Sequence, residues 1–183
     1  TSSADPWFNN QTYVDTLKKE AVECFTRVTH DRYDQWFGET FGKEILAIFT
    51  DEPQCGFRGN LEFAASSSSA YLPWTDTFPA FFAGQCGYDI LDVLPELFWE
   101  KRDGSAPRVR YDYHNQLTEL FARAYFDTLW GWCASHNLML TGHVMLEPTL
   151  AGQTAAVGEA MRCYRGFGLP GIDMLCDRHE YNT

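Results

Sequence analysis

Two short apolar segments, each followed by a carboxylate and a proline, constrain the fold of this chain most. Residues 44–50 (EILAIFT) are rich in strand-forming side chains and stop at Asp51-Glu52-Pro53. Residues 138–145 form a second such run, and Glu147-Pro148 follows it closely. Short apolar runs that end at turn residues predict strands buried in a parallel sheet. The sequence therefore predicts acidic side chains where two parallel strands end.

Segments with helical periodicity separate these strands. Apolar residues at spacings of three and four predict a helix over 13–37 and a longer one over 110–135, which His136-Asn137 closes. The predicted apolar stripe of the first helix consists of Tyr13, Leu17, Ala21, Cys24, Phe25, Val28 and Trp36. The remaining predicted segments are loops over 54–76 and 101–108, short helical pieces over 77–100, a helix over 153–165 and a third strand over 172–175.

This alternation of helices and strands predicts an α/β fold with a parallel sheet and right-handed crossovers. A doubly wound sheet and a barrel both fit the order of elements. Acidic residues at or near the ends of all three predicted strands favour a functional site at that rim, which is where a barrel carries its functional groups. A complete barrel needs about 250 residues. Three strands would therefore be only part of a (β/α)8 TIM barrel, and we expect residues 1–183 to form a single domain.

Charge and composition exclude several classes of function. The chain has 25 acidic and 14 basic residues and a net charge of −11. Nucleic acids and anionic membrane surfaces both require a basic face, so we expect neither as a partner. A neutral substrate such as a sugar is compatible with this charge. No apolar run approaches the roughly 18 residues of a membrane span.

The six cysteines do not form a C-x-x-C pair, which argues against a zinc ribbon. Most of them lie among apolar residues, so we expect free, buried thiols and a reducing compartment, which predicts a cytoplasmic location. No signal peptide is recognisable, although a longer parent protein could still be secreted.

Glu52 and Glu147 are the candidate catalytic residues. Glycoside hydrolysis uses two carboxyl groups, one of which donates a proton to the leaving oxygen. A glutamate at the end of a buried strand, beside Asp51, has the setting that keeps such a donor protonated. Glu147 is the natural second carboxylate. The structural alternative for both glutamates is a helix cap or an ion pair.

Four further residues are candidates for binding a sugar. Asp51 adjoins Glu52, and Asp173 is a charged residue within an apolar segment, which is costly unless it is paired or functional. His143 lies within the second predicted strand, where it could bond a sugar hydroxyl or be a satisfied core histidine. Trp74 lies on a loop, where its ring could stack on a sugar or pack in the core. We expect His30 to be structural.

Motifs for other chemistries are absent from the sequence. It has no G-x-S-x-G nucleophile elbow, no phosphate-binding glycine motif and no H-E-x-x-H zinc motif. We expect no metal ligands and no cofactor.

Several segments, in order, resemble bacterial glycoside hydrolases of the α-L-rhamnosidase type, family 106 and its relatives. The segments that carry the resemblance are Phe41-Gly42-Lys43-Glu44-Ile45, Ile48-Phe49-Thr50-Asp51-Glu52-Pro53, Pro73-Trp74-Thr75, Gly87-Tyr88-Asp89-Ile90, Leu94-Pro95, Thr141-Gly142-His143 with Glu147, and Pro170-Gly171-Ile172-Asp173. The resemblance implies a (β/α)8 barrel glycosidase with Glu52 as general acid and Glu147 as general base. It also implies that Asp51, His143 and Asp173 line the sugar site.

The resemblance also bears on cofactors and partners. Enzymes of this type can need calcium, but this sequence shows no calcium-binding loop. Its partners would be a carbohydrate substrate and, because an incomplete barrel exposes sheet edges, either another copy of the chain or the remainder of the parent enzyme. Two alternatives stay open, namely a non-catalytic carbohydrate-binding or structural fragment of such a barrel, and an unrelated α/β protein whose acidic strand ends are caps.

Overall fold

The computed structural model of the protein describes residues 6–59, 65–67 and 69–174. Over these ranges a short parallel sheet is combined with helices that follow and precede its strands. The helices are α1 (Lys19–Phe37), α2 (Phe78–Cys86), α3 (Arg108–Phe121), α4 (Asp127–Ser135), α5 (Leu150–Ala156) and α6 (Ala160–Tyr164). The strands are β1 (Ala47–Thr50), β2 (Met139–Gly142) and β3 (Leu169–Pro170).

The three strands form one parallel sheet in the order β1-β2-β3. This confirms the predicted α/β class with parallel strands. The order follows the chain without the reversal that characterises a doubly wound sheet. These three strands, the ones found in the described residues, do not close into a barrel.

In the part of the chain that the structure describes, helices cover only one face of this sheet. Alternate residues of a strand point to opposite faces, and Ile48 pairs with Leu140, which is fully buried in the helical core. On the other face Phe49, which is 61% exposed, lies in one row with Thr141 and Leu169. The expectation that residues 44–50 form a buried strand was therefore wrong: β1 is a short edge strand with one exposed face.

The long helix predicted over 110–135 is confirmed. It consists of α3 and α4, joined without interruption by a π-helical turn at Ala122–Phe126. Its inner side supplies much of the core, including the fully buried side chains of Tyr113, Phe121 and Leu129. This helix is the platform on which the covered face of the sheet rests.

The first predicted helix was placed too early. Asp15 accepts a hydrogen bond from the Leu17 backbone N–H, and this local turn competes with helix formation, so α1 begins only at Lys19. The predicted apolar stripe also differs from the buried one. Val28 and Trp36 are 65% and 79% exposed. The buried residues of α1 are instead Val22, Thr26 and His30.

The C-terminal part differs from its prediction in two ways. The segment 153–165 is not one helix, because Gly158 adopts a φ of +82° between α5 and α6. The third strand is β3, which lies earlier than the predicted range 172–175. Ile172 and Asp173 follow β3 as irregular chain, and Leu175 lies outside the described residues.

Cys55, Cys133 and Cys163 are free and buried, as predicted, whereas Cys24 is free but exposed. Cys176 lies outside the described residues. Among the helices in the described ranges, none combines the length and apolar character that crossing a bilayer requires.

Candidate functional site

The first part of the site is the sharp turn that ends β1. Glu52 has a φ of +46°, in the left-handed region that non-glycine residues rarely adopt. Such a conformation costs about 1–3 kcal/mol, so the surrounding structure must hold it. A 2.8 Å hydrogen bond between the hydroxyl groups of Thr50 and Tyr125 holds Thr50 in place at the end of β1. Burial raises the pKa of Tyr125 to about 12, so this phenol stays protonated.

A glycine brings the end of β2 close to β1. Gly142 has a φ of +132°, and a Cβ at this position would lie 2.0 Å from the carbonyl oxygen of Thr50. Only glycine fits there. Because the strands approach so closely, the backbone N–H of His143 donates to the Thr50 carbonyl at 3.3 Å. This hydrogen bond places His143 beside the end of β1.

His143 connects carboxylates from two strands. Its Nε2 lies 3.1 Å from Oδ1 of Asp51, and its Nδ1 lies 3.8 Å from Oε1 of Glu147. The ring also contacts the ring of Phe49 edge-on. His143 is only 6% exposed, whereas 75% of the Asp51 side chain is accessible. The pair therefore joins a fixed imidazole to an accessible carboxylate.

Glu147 is a buried carboxylate whose two oxygens both accept hydrogen bonds. The hydroxyl of Tyr164 donates to Oε1 at 2.5 Å, and the backbone N–H of Asp173 donates to Oε2 at 3.0 Å. Burial, and then the bond to Glu147, raise the pKa of Tyr164, so the tyrosine remains a donor. Glu147 thus holds α6 and the segment after β3 against the end of β2.

Glu52, His143 and Asp173 meet at one point. Each offers one ligand atom, and these atoms lie within 4.8 Å of one another. They come from the chain that follows β1, β2 and β3 respectively, which is where parallel strands bring functional groups together. Five of the six predicted site residues are therefore close neighbours, with Asp51 and Glu147 attached through His143.

Trp74 is the predicted site residue whose contacts lie elsewhere. Its ring packs edge-on against Phe78 of α2, with centroids 5.2 Å apart, and Phe78 belongs to the buried core. Trp74 is nevertheless 37% exposed, so one side of the indole remains available. His30 is buried between Phe25 and Trp132, in agreement with the structural role expected for it.

Sequence reasoning missed Tyr164 and Tyr125. Tyr164 lies seventeen positions after Glu147, at the end of a short helix, and no local pattern links the two. Tyr125 lies within the long helix predicted over 110–135, and the apolar spacing of that helix indicates no polar role for it. Its hydroxyl group is the signal that could have suggested a polar partner, since a buried tyrosine usually has one.

A small cavity adjoins the site between α1 and β1. It has a volume of about 180 Å³ and is bordered by aromatic and aliphatic side chains together with a few hydroxyls. Phe49 and Thr50 of β1 are among the residues that line it. Its walls carry no carboxylate, so the acid chemistry of this region is confined to the strand ends.

These observations define an α/β protein with a three-stranded parallel sheet and an acidic, histidine-containing cluster at the carboxyl ends of its strands. A solved structure of a rhamnosidase from Novosphingobium sp. PP1Y has a similar fold, with a TM-score of 0.60 and 20% sequence identity over 85% of this chain. The chain spans only 13% of the length of that rhamnosidase. At this identity the likeness establishes a shared fold. No protein-family model and no curated protein matches the chain.

Proposed function

We propose that this chain forms part of the catalytic barrel of a rhamnosidase-like glycoside hydrolase, which cleaves O-glycosidic bonds by carboxylate acid catalysis. The observation that carries the proposal is the convergence of Glu52, His143 and Asp173 at the ends of three parallel strands. The fold likeness to part of a rhamnosidase supports the same enzyme class and suggests an α-L-rhamnoside as substrate.

In this proposal Glu52 is the general acid. It lies at the centre of the cluster and is only partly accessible, beside the carboxylate of Asp173. A general acid must reach the leaving oxygen, and a partly accessible carboxyl group in the cluster meets this geometric requirement. Asp51 suits this role less well because it is the more exposed neighbour and is engaged by His143. Asp51, His143 and Asp173 would then bind sugar hydroxyls.

The contacts of Glu147 suggest a positioning role in place of the general base implied by the resemblance. A general base must reach the attacking water, yet both oxygens of Glu147 are occupied by donors. We assign it to holding His143 and the Asp173 backbone in place. The base or nucleophile would then lie on another part of a complete barrel. Trp74 keeps its proposed role as a stacking surface for a more distant part of the substrate.

The uncovered face of the sheet supports the partial-barrel interpretation. Parallel sheets are nearly always covered on both faces, and the strand order β1-β2-β3 is that of consecutive barrel strands. A non-catalytic carbohydrate-binding fragment is the second candidate, favoured by the occupied oxygens of Glu147. The third reading, an unrelated fold with capping carboxylates, is disfavoured because Glu52 and Glu147 both adjoin His143 and Asp173.

Hydrolysis of an aryl-glycoside panel that includes the α-L-rhamnoside, by the complete enzyme that contains this chain, tests the proposal. Glu52→Gln should lower the rate by at least about 100-fold, since a positioned acid contributes roughly 10²–10⁴. Glu44→Gln is the matched control, because Glu44 is exposed on the chain before β1. Equal rates in the wild type and Glu52→Gln would contradict the acid role.

Absence of turnover would leave the binding candidate to be tested by NMR titration with L-rhamnose. Sugar-dependent shifts that Asp173→Asn removes would support a non-catalytic binding fragment. If the complete enzyme shows no turnover and this chain binds no sugar, both candidates are contradicted.

A further inference from the structure

Two arginines that the proposed acid chemistry does not use lie together at the end of a helical segment. Ile90–Leu97 forms a 3₁₀ helix, and its last two carbonyls accept hydrogen bonds from different parts of the chain. Nε of Arg110 donates to the Glu96 carbonyl at 3.0 Å, and Nη2 of Arg58 donates to the Leu97 carbonyl at 2.7 Å. Because the two acceptors belong to consecutive residues, the two guanidinium groups are neighbours.

These two positive charges have no carboxylate partner. Within the ranges that the structure describes, neither Arg58 nor Arg110 forms an ion pair. The carboxylate of Glu96 lies 4.0 Å from Nζ of Lys101, so its charge is already offset. Burial, and then the charge of Arg110, lower the pKa of Arg58. Two like charges held this close are unfavourable, and a bound anion would offset their repulsion.

A neutral histidine holds the first of these guanidinium groups in place. Nη1 of Arg58 lies 2.9 Å from Nε2 of His114, and because a guanidinium can only donate, the imidazole must accept. Burial, and then the charge of Arg58, lower the pKa of His114 to about 4, so the ring adds no charge at neutral pH. By contrast, the two terminal amino groups of the half-buried Arg110 donate to no protein acceptor in the described residues. These donors are available to a ligand.

A tryptophan beside the arginines indicates that the ligand is a saccharide. Trp99 lies two residues after Leu97 and is 43% exposed. An exposed indole offers a broad apolar face on which the C–H groups of a sugar ring can pack. A guanidinium group matches the two oxygens of a carboxylate with parallel N–H donors. Together these side chains suit a sugar that carries a carboxylate.

The arginines lie at the same end of the sheet as the proposed catalytic cluster. Arg58 follows Glu52 by six residues, and such a segment spans at most about 22 Å. The helix formed by α3 and α4 leads directly into β2 and therefore runs opposite to it. Its first turn, which carries Arg110, consequently lies toward the carboxyl ends of the strands. A ligand at the arginines can therefore be a further unit of the same substrate.

We propose that Arg58, Arg110 and Trp99 form a subsite for a uronate residue of an acidic saccharide. The inference rests on the proposed function, because it names the substrate class of that enzyme as a rhamnoside attached to an acidic glycan. The guanidinium groups bind the carboxylate, and the indole packs against the sugar ring. The chain has a net charge of −11, but residues 101–110 contain four of its 14 basic residues and one acidic residue. The subsite is thus a locally basic region of an acidic protein.

Calorimetric titration of the complete enzyme that contains this chain tests the subsite. The probes are trigalacturonate and the neutral trisaccharide obtained by reducing its carboxyl groups. We expect the acid to bind at least about tenfold more tightly, which is the effect of about one charge-assisted hydrogen bond. Arg110→Gln should remove this preference for the acid. Trp99→Ala should weaken the binding of both probes, because the indole contacts the ring and not the carboxylate.

The control Arg27→Gln removes the same charge from an exposed position of α1 and should leave both affinities unchanged. If Arg58→Gln does not fold, Arg110→Gln decides the outcome. Three results would overturn the subsite: equal affinity for the two trisaccharides, a preference for the acid that survives Arg110→Gln, or inorganic sulfate that binds as tightly as trigalacturonate. The titration involves no turnover and the aryl rhamnosides carry no carboxylate, so a failure here is distinguishable from a failure of Glu52 as the acid.

Discussion

The two faces of the sheet differ in what the chain provides to cover them. On one face Leu140 is fully buried and Thr50 is bonded to Tyr125 of the long helix. On the other face no helix within the described ranges covers Phe49 and Leu169, which are 61% and 56% exposed. The described residues therefore pack one sheet face against helices and leave the apolar side chains of the other face exposed. The acidic cluster lies at the rim where the two meet.

The largest expected effect is a difference in the free energy of unfolding between a variant on the covered face and one on the uncovered face. Leu140→Ala removes a side chain from the packed layer and should lower the free energy of unfolding by about 2–5 kcal/mol. Leu169→Ala, on the uncovered face, should change it by no more than about 0.5 kcal/mol. Urea denaturation of both variants measures this difference. Similar losses would mean that the second face is buried in solution.

A smaller effect is expected at the rim, where Glu147 is buried and Asp51 is exposed. Tyr164→Phe removes one of the donors to the buried carboxylate and should destabilise the protein by about 1–3 kcal/mol. Tyr111→Phe is the control, because Tyr111 is exposed on α3. If thermal unfolding shows equal stability for the two variants, Glu147 is not held as described.

A substitution on the uncovered face should change self-association and have little effect on folding. Exposed apolar surface of this kind favours contact with another chain, so we expect the protein to form oligomers at high concentration. Phe49→Asp should shift it toward the monomer in light scattering across a dilution series. Lys43→Glu, a charge change at an exposed residue before β1, serves as the control. A strictly monomeric wild type would contradict the expectation.

Much of the site could be predicted because the geometry of parallel strands is general. Carboxyl ends of adjacent parallel strands meet at one edge, so carboxylates after each strand had to approach one another. That argument placed Asp51, Glu52 and Glu147 together even though β1 and β2 are only four residues long. The long helix was predictable because its apolar period persists over seven turns.

Other features depend on contacts that a local pattern does not encode. A strand of four residues shows too little alternation to reveal that Phe49 faces outward while Ile48 is covered. The bond between Tyr164 and Glu147 joins residues from different elements, and the position of β3 is set by its pairing with Thr141 and Gly142. The late start of α1 results from the side chain of Asp15, which stabilises a turn.

The most direct test of the central claim is the dependence of Glu52→Gln on the leaving group. Rates of the complete enzyme that contains this chain would be compared on α-L-rhamnosides with a dinitrophenyl group, which departs without a proton, and with a methoxyphenyl group, which requires one. If Glu52 is the general acid, the variant should retain most of the activity on the first substrate and lose at least about 100-fold on the second. Equal losses on both substrates would show that Glu52 does not donate the proton, and would contradict this account of the cluster.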